Sequence, residues 1–133
     1  MAGTTVTLDN TKTSVDTSND SVVIVQNLET IPGGSALEVT GFTLEIINAG
    51  HLIIEQTASG VLKPMPVADN AYAALPAGHT YKGVLVASIL KAKPGAAIMV
   101  RGTVNDAAFK NGTGFITPAD AKTALVLIRF TKD

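Results

Sequence analysis

The sequence predicts a mainly β protein of the α+β class, with a small β-sandwich or barrel-like body, two short helices and a flexible N-terminal arm. Three observations lead to this fold class. Six segments are rich in Val, Ile, Leu and Thr, which favour strands. Turn-forming Gly, Pro and Asn separate those segments. Residues 2–21, in contrast, are mostly Thr, Ser, Asp and Asn, with only three large apolar side chains.

The polar N-terminal segment is predicted to be an arm, residues 1–21, rather than a core element. Three large apolar side chains are too few to offset the entropy that the chain loses when it is ordered. The tip of the arm alternates polar and apolar residues, all of which favour strands: Thr4, Thr5, Val6, Thr7 and Leu8. We therefore expect the tip to form a strand where another sheet offers a free edge. Residues 22–133 are predicted to be a single β-rich domain.

The strand candidates follow one another along that domain. They are the segments 21–28, 36–48, 51–56, 81–90, 96–101 and 124–131. Helix signals are scarce. One short helix is predicted over 105–111, capped by Asn105 and stopped at Gly112, and a second is predicted to start with Thr117 as its N-cap and Pro118 at its first position.

Composition limits the classes of function. The 133 residues suffice for one domain, and the chain has no Cys for disulfides, thiolate chemistry or cysteine metal sites. A net charge of −1 gives no footprint for nucleic acid. No apolar run approaches the roughly 18 residues of a membrane span, and the N-terminus has no secretory pattern, so we expect synthesis in the cytoplasm. Charged residues make up 16% of the chain, against about 25% in typical soluble domains, which predicts surface hidden by oligomerisation.

The charge is also unevenly distributed along the chain. Residues 1–62 contain one basic and seven acidic groups, for a net charge of −6, whereas residues 63–133 have a net charge of +5. This asymmetry fits packing of the N-terminal segment against its own body or against a neighbouring copy. Ordinary scatter of solvated charges explains it equally well.

Catalytic chemistry is not indicated by any residue pattern. The nearest metal-ligand pair is His51 with Glu55, but on a strand these residues are roughly 13 Å apart, so one ion cannot bridge them. We expect His51 to be a histidine at a loop edge and His79 to be a solvated turn residue. No serine lies in a nucleophile turn, and the three acidic residues that could converge, Asp69, Asp106 and Asp120, carry no marking motif. The sequence therefore predicts a protein that is not an enzyme and has no cofactor or metal.

The order of segments over residues 44–131 resembles the small head decoration proteins of tailed bacteriophages and the related capsid-binding bases of head-fibre proteins. The segments that carry the resemblance are Asn48-Ala49-Gly50, His51-Leu52-Ile53-Ile54-Glu55, Gly60-Val61-Leu62-Lys63-Pro64-Met65-Pro66-Val67, Tyr81-Lys82-Gly83-Val84-Leu85-Val86, Ala97-Ile98-Met99-Val100-Arg101-Gly102, Val104-Asn105-Asp106-Ala107-Ala108-Phe109 and Ala124-Leu125-Val126-Leu127-Ile128-Arg129-Phe130. Each segment is a common type, so the resemblance lies in their succession.

The resemblance implies a structural role in the virion. Members of the family are homotrimers that bind the major capsid protein on the outside of an expanded phage capsid and cement the shell, after synthesis in the cytoplasm of the host bacterium. Their arms become ordered by pairing with strands of the shell, which by position and character implies capsid binding by Thr4–Leu8. This chain departs from the family by an apolar stretch, 22–28, between arm and body. We expect that stretch to belong to the body or to an inter-subunit strand.

Two other functions remain open on the sequence. One is a different virion role, as a fibre base or a tail-associated domain. The other is a ligand-binding β-domain or an enzyme whose site is built from converging loops.

Overall fold

The computed structural model describes residues 17–68, 71–108 and 117–132, and it confirms the mainly β fold class. Its helical elements are short: α1 (Asp20–Val23), a 3₁₀ turn (Asp106–Ala108) and α2 (Ala119–Ala124). The strands are β1 (Ile24–Thr30), β2 (Ser35–Ala36), β3 (Ile46–Ile47), β4 (Leu52–Gln56), β5 (Leu62–Pro64), β6 (Val67–Ala68), β7 (Ala71–Tyr72), β8 (His79–Leu85), β9 (Ile89–Leu90), β10 (Gly95–Ala96), β11 (Ile98–Asn105) and β12 (Ile128–Thr131).

The main sheet has six strands. Five of them form the antiparallel order β1-β11-β8-β4-β5, and β12 pairs in parallel with β11. Three two-stranded sheets, β2 with β10, β3 with β9 and β6 with β7, complete the described strands. β11 is the centre of this arrangement, because it contacts β1 on one side and both β8 and β12 on the other.

The central strands of the main sheet are buried on both faces. Neighbouring side chains along β4, β8 and β11 belong to two separate hydrophobic clusters. The first cluster contains Leu52, Ile54, Val84 and Met99, and the second contains Ile53, Leu85 and Ile98. A strand covered on both faces has a continuous apolar run rather than an alternating pattern. This explains why the runs in β4, β8 and β11 are apolar at successive positions.

The predicted strand over 36–48 is wrong except at its ends, where β2 and β3 lie. The residues between them form turns. Gly41 has a φ of +80°, which favours glycine, and the amide of Phe42 donates to the carbonyl oxygen of Val39. The side chain of Glu38 accepts a hydrogen bond from the amide of Thr40 at 2.9 Å. These local bonds replace a ladder with a neighbouring strand.

Other predicted boundaries shift for similar local reasons. The segment 51–56 corresponds closely to β4, whereas 81–90 is divided into β8 and β9 by a turn, and 124–131 contains only the four strand residues of β12. The second helix begins at Ala119 with Pro118 in the N-cap position, so the prediction of Thr117 as the cap is one residue early. The carbonyl of the Asn105 side chain accepts a hydrogen bond from the amide of Ala107, as the predicted cap requires, but residues 109–111 of that helix lie outside the described residues.

The body begins earlier than the predicted boundary at residue 21. The side-chain amide of Asn19 donates to the carbonyl oxygen of Ala108 at 2.6 Å. The carboxylate of Asp20 accepts hydrogen bonds from the amide and the hydroxyl of Ser88, at 2.8 and 2.7 Å. Residues 19–21 are therefore held against the body, and 22–28 is divided between α1 and β1. The arm tip, Thr4–Leu8, lies outside the described residues.

Candidate functional site

His51 is a core histidine, not the loop-edge residue that the sequence predicts. Its side chain is fully buried just before β4, and Nε2 donates a hydrogen bond to the carbonyl oxygen of Met65 at 2.9 Å. The rings of Phe42 and Tyr72 pack edge-on against it, with centroids 5.5 and 5.1 Å away. Burial lowers the pKa of His51 to about 4, so the ring is neutral at physiological pH. His51 therefore packs in the core as a neutral side chain.

Glu55, which the sequence analysis rejects as a metal-binding partner of His51, forms an ion pair with another residue. Its carboxylate pairs with the ammonium group of Lys82 on β8 at 3.2 Å. His79 begins β8, where its Nδ1 donates to the carbonyl oxygen of Ala77 at 3.0 Å. Within 17–68, 71–108 and 117–132, no group of three or more His, Asp or Glu side chains is placed to hold a metal ion.

The acidic residues that could have formed a catalytic pair have structural partners. Asp106 pairs with Lys122 at 3.1 Å, and Asp120 accepts a hydrogen bond from the hydroxyl of Tyr81 at 3.1 Å. Loss of solvation, together with this carboxylate, raises the pKa of Tyr81 to about 12. The third acidic residue, Asp69, lies outside the described residues. These contacts tie α2 to β8 through Tyr81 and to the 3₁₀ turn through Asp106.

Ser88 is also committed to structural bonds. Its hydroxyl donates to Asp20 and accepts a hydrogen bond from the amide of Ala49 at 2.9 Å. The serine is nearly buried, at 8% exposure, and Ala49 is buried beneath it. These hydrogen bonds of Asp20, Ser88 and Ala49, which we call the clamp, join the start of the body to the turn before β9.

A loop-built cleft of about 420 Å³ lies between residues 38–43 and 63–67. Glu38, at its edge, accepts hydrogen bonds from the hydroxyl and the amide of Thr40, which hold the pKa of that carboxyl below its usual range. The carboxyl group is fully exposed to solvent. The cleft is therefore a solvated turn with an ionised carboxylate at its rim.

The surface feature that stands out is a set of exposed aliphatic side chains. Six large hydrophobic side chains in the described residues are exposed by more than 40%, and five of them lie on two stretches of chain. The first stretch has Val22 on α1 and Val25 and Leu28 on β1, at 49%, 54% and 54% exposure. The second has Val126 and Leu127, at 80% and 63%, between α2 and β12. Clustered exposed apolar groups of this kind mark interaction surfaces.

In the first stretch, which we call the β1 ridge (Val22, Val25 and Leu28), the two residues of β1 lie at β-bulges, and Val22 precedes the strand on α1. Ile24 pairs with Val104 and Gln26 with the next residue of β11, so Val25 has no partner. Leu28 is the extra residue at a second bulge, between the pairs of Asn27 and Glu29. Bulges raise local twist and redirect side chains. They occur here on the edge strand of the main sheet, where nothing in the described part of the chain covers the outer side.

The second stretch borders a groove where β8 and β11 separate. The two strands pair at only two positions, Leu85 with Ile98 and Val84 with Met99. They are pressed together at Gly83, where a Cβ atom would lie 2.2 Å from the carbonyl oxygen of Met99. Beyond that point they diverge, and the loop after α2 enters the gap. The resulting open groove of about 510 Å³, which we call the 126–127 groove, is lined by Tyr81, Lys82, Val100 and residues 124–127.

The ridge and the groove lie on opposite sides of one strand. Gly102 of β11 pairs with Asn27 of β1, and its amide donates to the carbonyl oxygen of Leu127 at 3.2 Å. Two strand spacings, roughly 10 Å, thus separate the backbone beside Leu28 from that of Leu127. Gly102 has no room for a side chain, because a Cβ atom would lie 2.2 Å from the carbonyl oxygen of Gln26.

The sequence predicts that the apolar stretch 22–28 belongs to the body or to an inter-subunit strand, and the structure divides it between α1 and β1 of the body. Val126 and Leu127, in contrast, fall within the predicted strand 124–131, since the run from Ala124 to Ile128 is apolar throughout. Only the end of α2 at Ala124 and the late start of β12 expose them.

No protein-family model, curated protein or solved structure matches this chain. None of the described helices has the length and apolar character needed to cross a membrane.

Proposed function

We propose that this chain is a structural virion protein that binds the outside of a phage capsid as a homotrimer and stabilises the shell. Its partners are further copies of itself and the major capsid protein, and it needs no nucleic acid, membrane or cofactor. The observation that carries the proposal is the exposed apolar surface formed by the β1 ridge and the 126–127 groove. Such a surface is suited to binding proteins rather than to chemistry.

The low charge of the chain supports the same role. With 16% charged residues and five clustered aliphatic side chains in solvent, a monomer has an unusually apolar exterior. Association with other copies and with a shell removes this area from water. Burial of each such side chain contributes about 1.5–3 kcal/mol.

The segment order adds a second line of support. The segments by which the chain resembles head decoration proteins include β4, β5, β8, β11 and β12, which are five of the six strands of the main sheet. The resemblance therefore concerns the framework of the fold and not its loops alone. On this proposal the protein resides on the capsid surface.

The arm tip, Thr4–Leu8, is the proposed capsid contact. Added as a strand to an edge in the shell, it would gain ladder hydrogen bonds and place Val6 and Leu8 on one face. Ordering costs about 1–2 kcal/mol per residue, so a single arm holds weakly. Three arms on one trimer raise the avidity by roughly 10²–10⁴ through effective concentration.

Electron microscopy of expanded capsids, from the phage whose genome encodes the chain, tests the proposal directly. Capsids prepared with the protein should show added density on the outer surface at three-fold or quasi-three-fold positions, and capsids without it should not. Density at the tail or at the base of a fibre would assign the chain to another virion role. Sedimentation equilibrium gives the independent second test, since a stable monomer throughout the micromolar range contradicts the trimer.

A further inference from the structure

We propose that residues 17–23, which we call the strap, open as a unit while the main sheet stays folded. In its closed state the strap fixes the point at which the N-terminal arm leaves the body. The opening of the strap is a property of the fold alone. Its effect on the arm rests on the proposed capsid contact of Thr4–Leu8.

The local structure of the strap depends on contacts with the body. Its helix, α1, has only four residues, and Asn19 at the N-cap position makes no hydrogen bond from its side chain to the helix. A single helical turn is not stable in water on its own. The strap therefore keeps this conformation only while the body holds it in place.

Few contacts hold the strap on the body, and most of them are polar. The side-chain amide of Asn19 donates to the carbonyl oxygen of Ala108 at 2.6 Å. The carboxylate of Asp20 accepts hydrogen bonds from the amide and the hydroxyl of Ser88. Among the residues of the strap, only Val23 has a buried side chain. Elements with few buried apolar contacts open at a lower free energy than the core of a protein.

Opening of the strap leaves the pairing of the main sheet intact. Ser88 lies in the turn before β9 and Ala108 lies at the end of the 3₁₀ turn, so neither anchor is on a strand. The amides of Val22 and Val23 donate to a carbonyl oxygen within the strap. Pairing of β1 with β11 begins only at Ile24. The strap therefore separates from the two turns without breaking a ladder.

Opening changes the reach of the arm and its effective concentration near the shell. The arm tip is connected to the closed strap by residues 9–16, and to β1 by residues 9–23 when the strap is open. The seven residues of the strap add at most about 25 Å of reach. Effective concentration falls with about the −3/2 power of tether length, which gives a loss of roughly 2.5-fold per arm. The closed strap therefore favours binding by several arms at nearby sites.

Hydrogen exchange of the full-length wild type, followed by nuclear magnetic resonance at several urea concentrations, measures the opening. The amides of Val23 and Ser88 should share one protection factor, at least about 10-fold lower than that of β4. Their exchange should depend weakly on urea because opening exposes little surface, whereas exchange of β4 follows global unfolding. Different protection of the two amides would show that the strap does not open as a unit. Protection and urea dependence equal to those of β4 would show that it unfolds only with the core. Either result overturns the inference.

Two variants test the anchoring of the arm. The strap variant carries Asn19→Ala and Asp20→Ala, which remove the polar contacts between the strap and the two turns. The insertion variant has seven Gly and Ser residues between residues 16 and 17, which lengthen the tether by the same amount and leave the strap intact. Glu45→Ala is the matched control, because its loosely paired carboxylate lies outside the strap. Circular dichroism verifies that each variant is folded.

Co-sedimentation with capsids gives the readout. Both variants should bind roughly 6-fold more weakly than wild type, since the second and third arms of a trimer each lose about 2.5-fold in effective concentration. The control should bind like wild type. Unequal effects of the two variants would overturn the anchor, and so would unchanged affinity of both. If wild type itself does not bind capsids, the proposed function fails, and hydrogen exchange still decides whether the strap opens.

Discussion

Replacing Asp20 by Ala should destabilise the body far more than loss of an ordinary surface charge. The carboxylate accepts hydrogen bonds from the amide and the hydroxyl of Ser88, at 2.8 and 2.7 Å. The same hydroxyl accepts a bond from the buried amide of Ala49. These bonds join residues that are 68 positions apart in the sequence, so they connect the start of the body to the turn before β9.

The magnitude follows from the kind of bond. A hydrogen bond to a charged group contributes about 1.5–3 kcal/mol net. The site is only partly buried, so we use the lower end for each of the two bonds and expect a loss of about 3 kcal/mol in the free energy of unfolding. For a domain of this size the melting temperature should fall by roughly 10 °C.

Urea unfolding at one fixed protein concentration measures the effect. Glu45→Ala is the matched control, because Glu45 is an exposed carboxylate that pairs loosely with Lys91 at 3.8 Å. Its removal should cost at most about 0.5 kcal/mol. A double-mutant cycle with Ser88→Ala should give a coupling energy of at least about 1.5 kcal/mol. A loss below 0.5 kcal/mol for Asp20→Ala, or simple additivity with Ser88→Ala, would refute the clamp.

Three other predictions test the core, the sheet and the arm. The pKa of His51 falls from 6.5 in the unfolded chain to about 4 on folding, so the unfolded chain binds more protons between these values. We therefore expect full stability above pH 6.5 and a loss of up to about 3 kcal/mol as the pH falls to 4, measured by urea unfolding and absent in His51→Gln. Gly83→Ala should lower the free energy of unfolding by roughly 1–3 kcal/mol, because the new methyl group collides with the carbonyl oxygen of Met99. Gly95→Ala is the control and should lower it little, since the space around its Cβ position is open. Equal melting temperatures of the two variants would contradict this prediction. Deleting residues 2–16 should leave urea stability unchanged but abolish co-sedimentation with capsids, and an unaltered capsid affinity would reject the arm contact.

The deletion must stop at residue 16 for a structural reason. On the sequence alone, the natural truncation is 2–20, since the whole polar segment reads as arm. That deletion also removes the side chains of Asn19 and Asp20, which bond to Ala108 and Ser88. A lower stability after the longer deletion would then report the lost clamp and not the arm.

The sequence predicted the fold class because strand preference and turn residues are local signals. β4 was predicted almost to its ends, since apolar residues on both faces make a compact run bounded by Gly50 and Ser59. The segment 36–48 was misassigned because its turn depends on Gly41 and on the bond between Glu38 and Thr40, which β-favouring residues conceal.

The candidate site was harder to predict because it depends on pairing between distant strands. Val25 and Leu28 are the extra residues where the six residues 24–29 of β1 pair with only four residues of β11, 101–104, and no local pattern encodes that mismatch. His51 is buried by Phe42 and Tyr72, which are 9 and 21 positions away in the chain. Loop-edge character could be inferred from Gly50, but the enclosure by two rings could not.

The central place of β11 has a consequence for the order of folding. Its first two residues pair with β8, its second half pairs with β12, and residues 99–104 pair with β1. During synthesis, about seventy residues are therefore added after β1 before its partner β11 is made. The second half of β11 has no partner on the β12 side until residue 131 has left the ribosome. During synthesis the docking of β12 should therefore be the last step, with the amides of residues 102–105 gaining protection from hydrogen exchange later than those of β4. The groove beside Leu127 takes its final shape only in that step, because the carbonyl oxygen of Leu127 bonds to the amide of Gly102 immediately before β12.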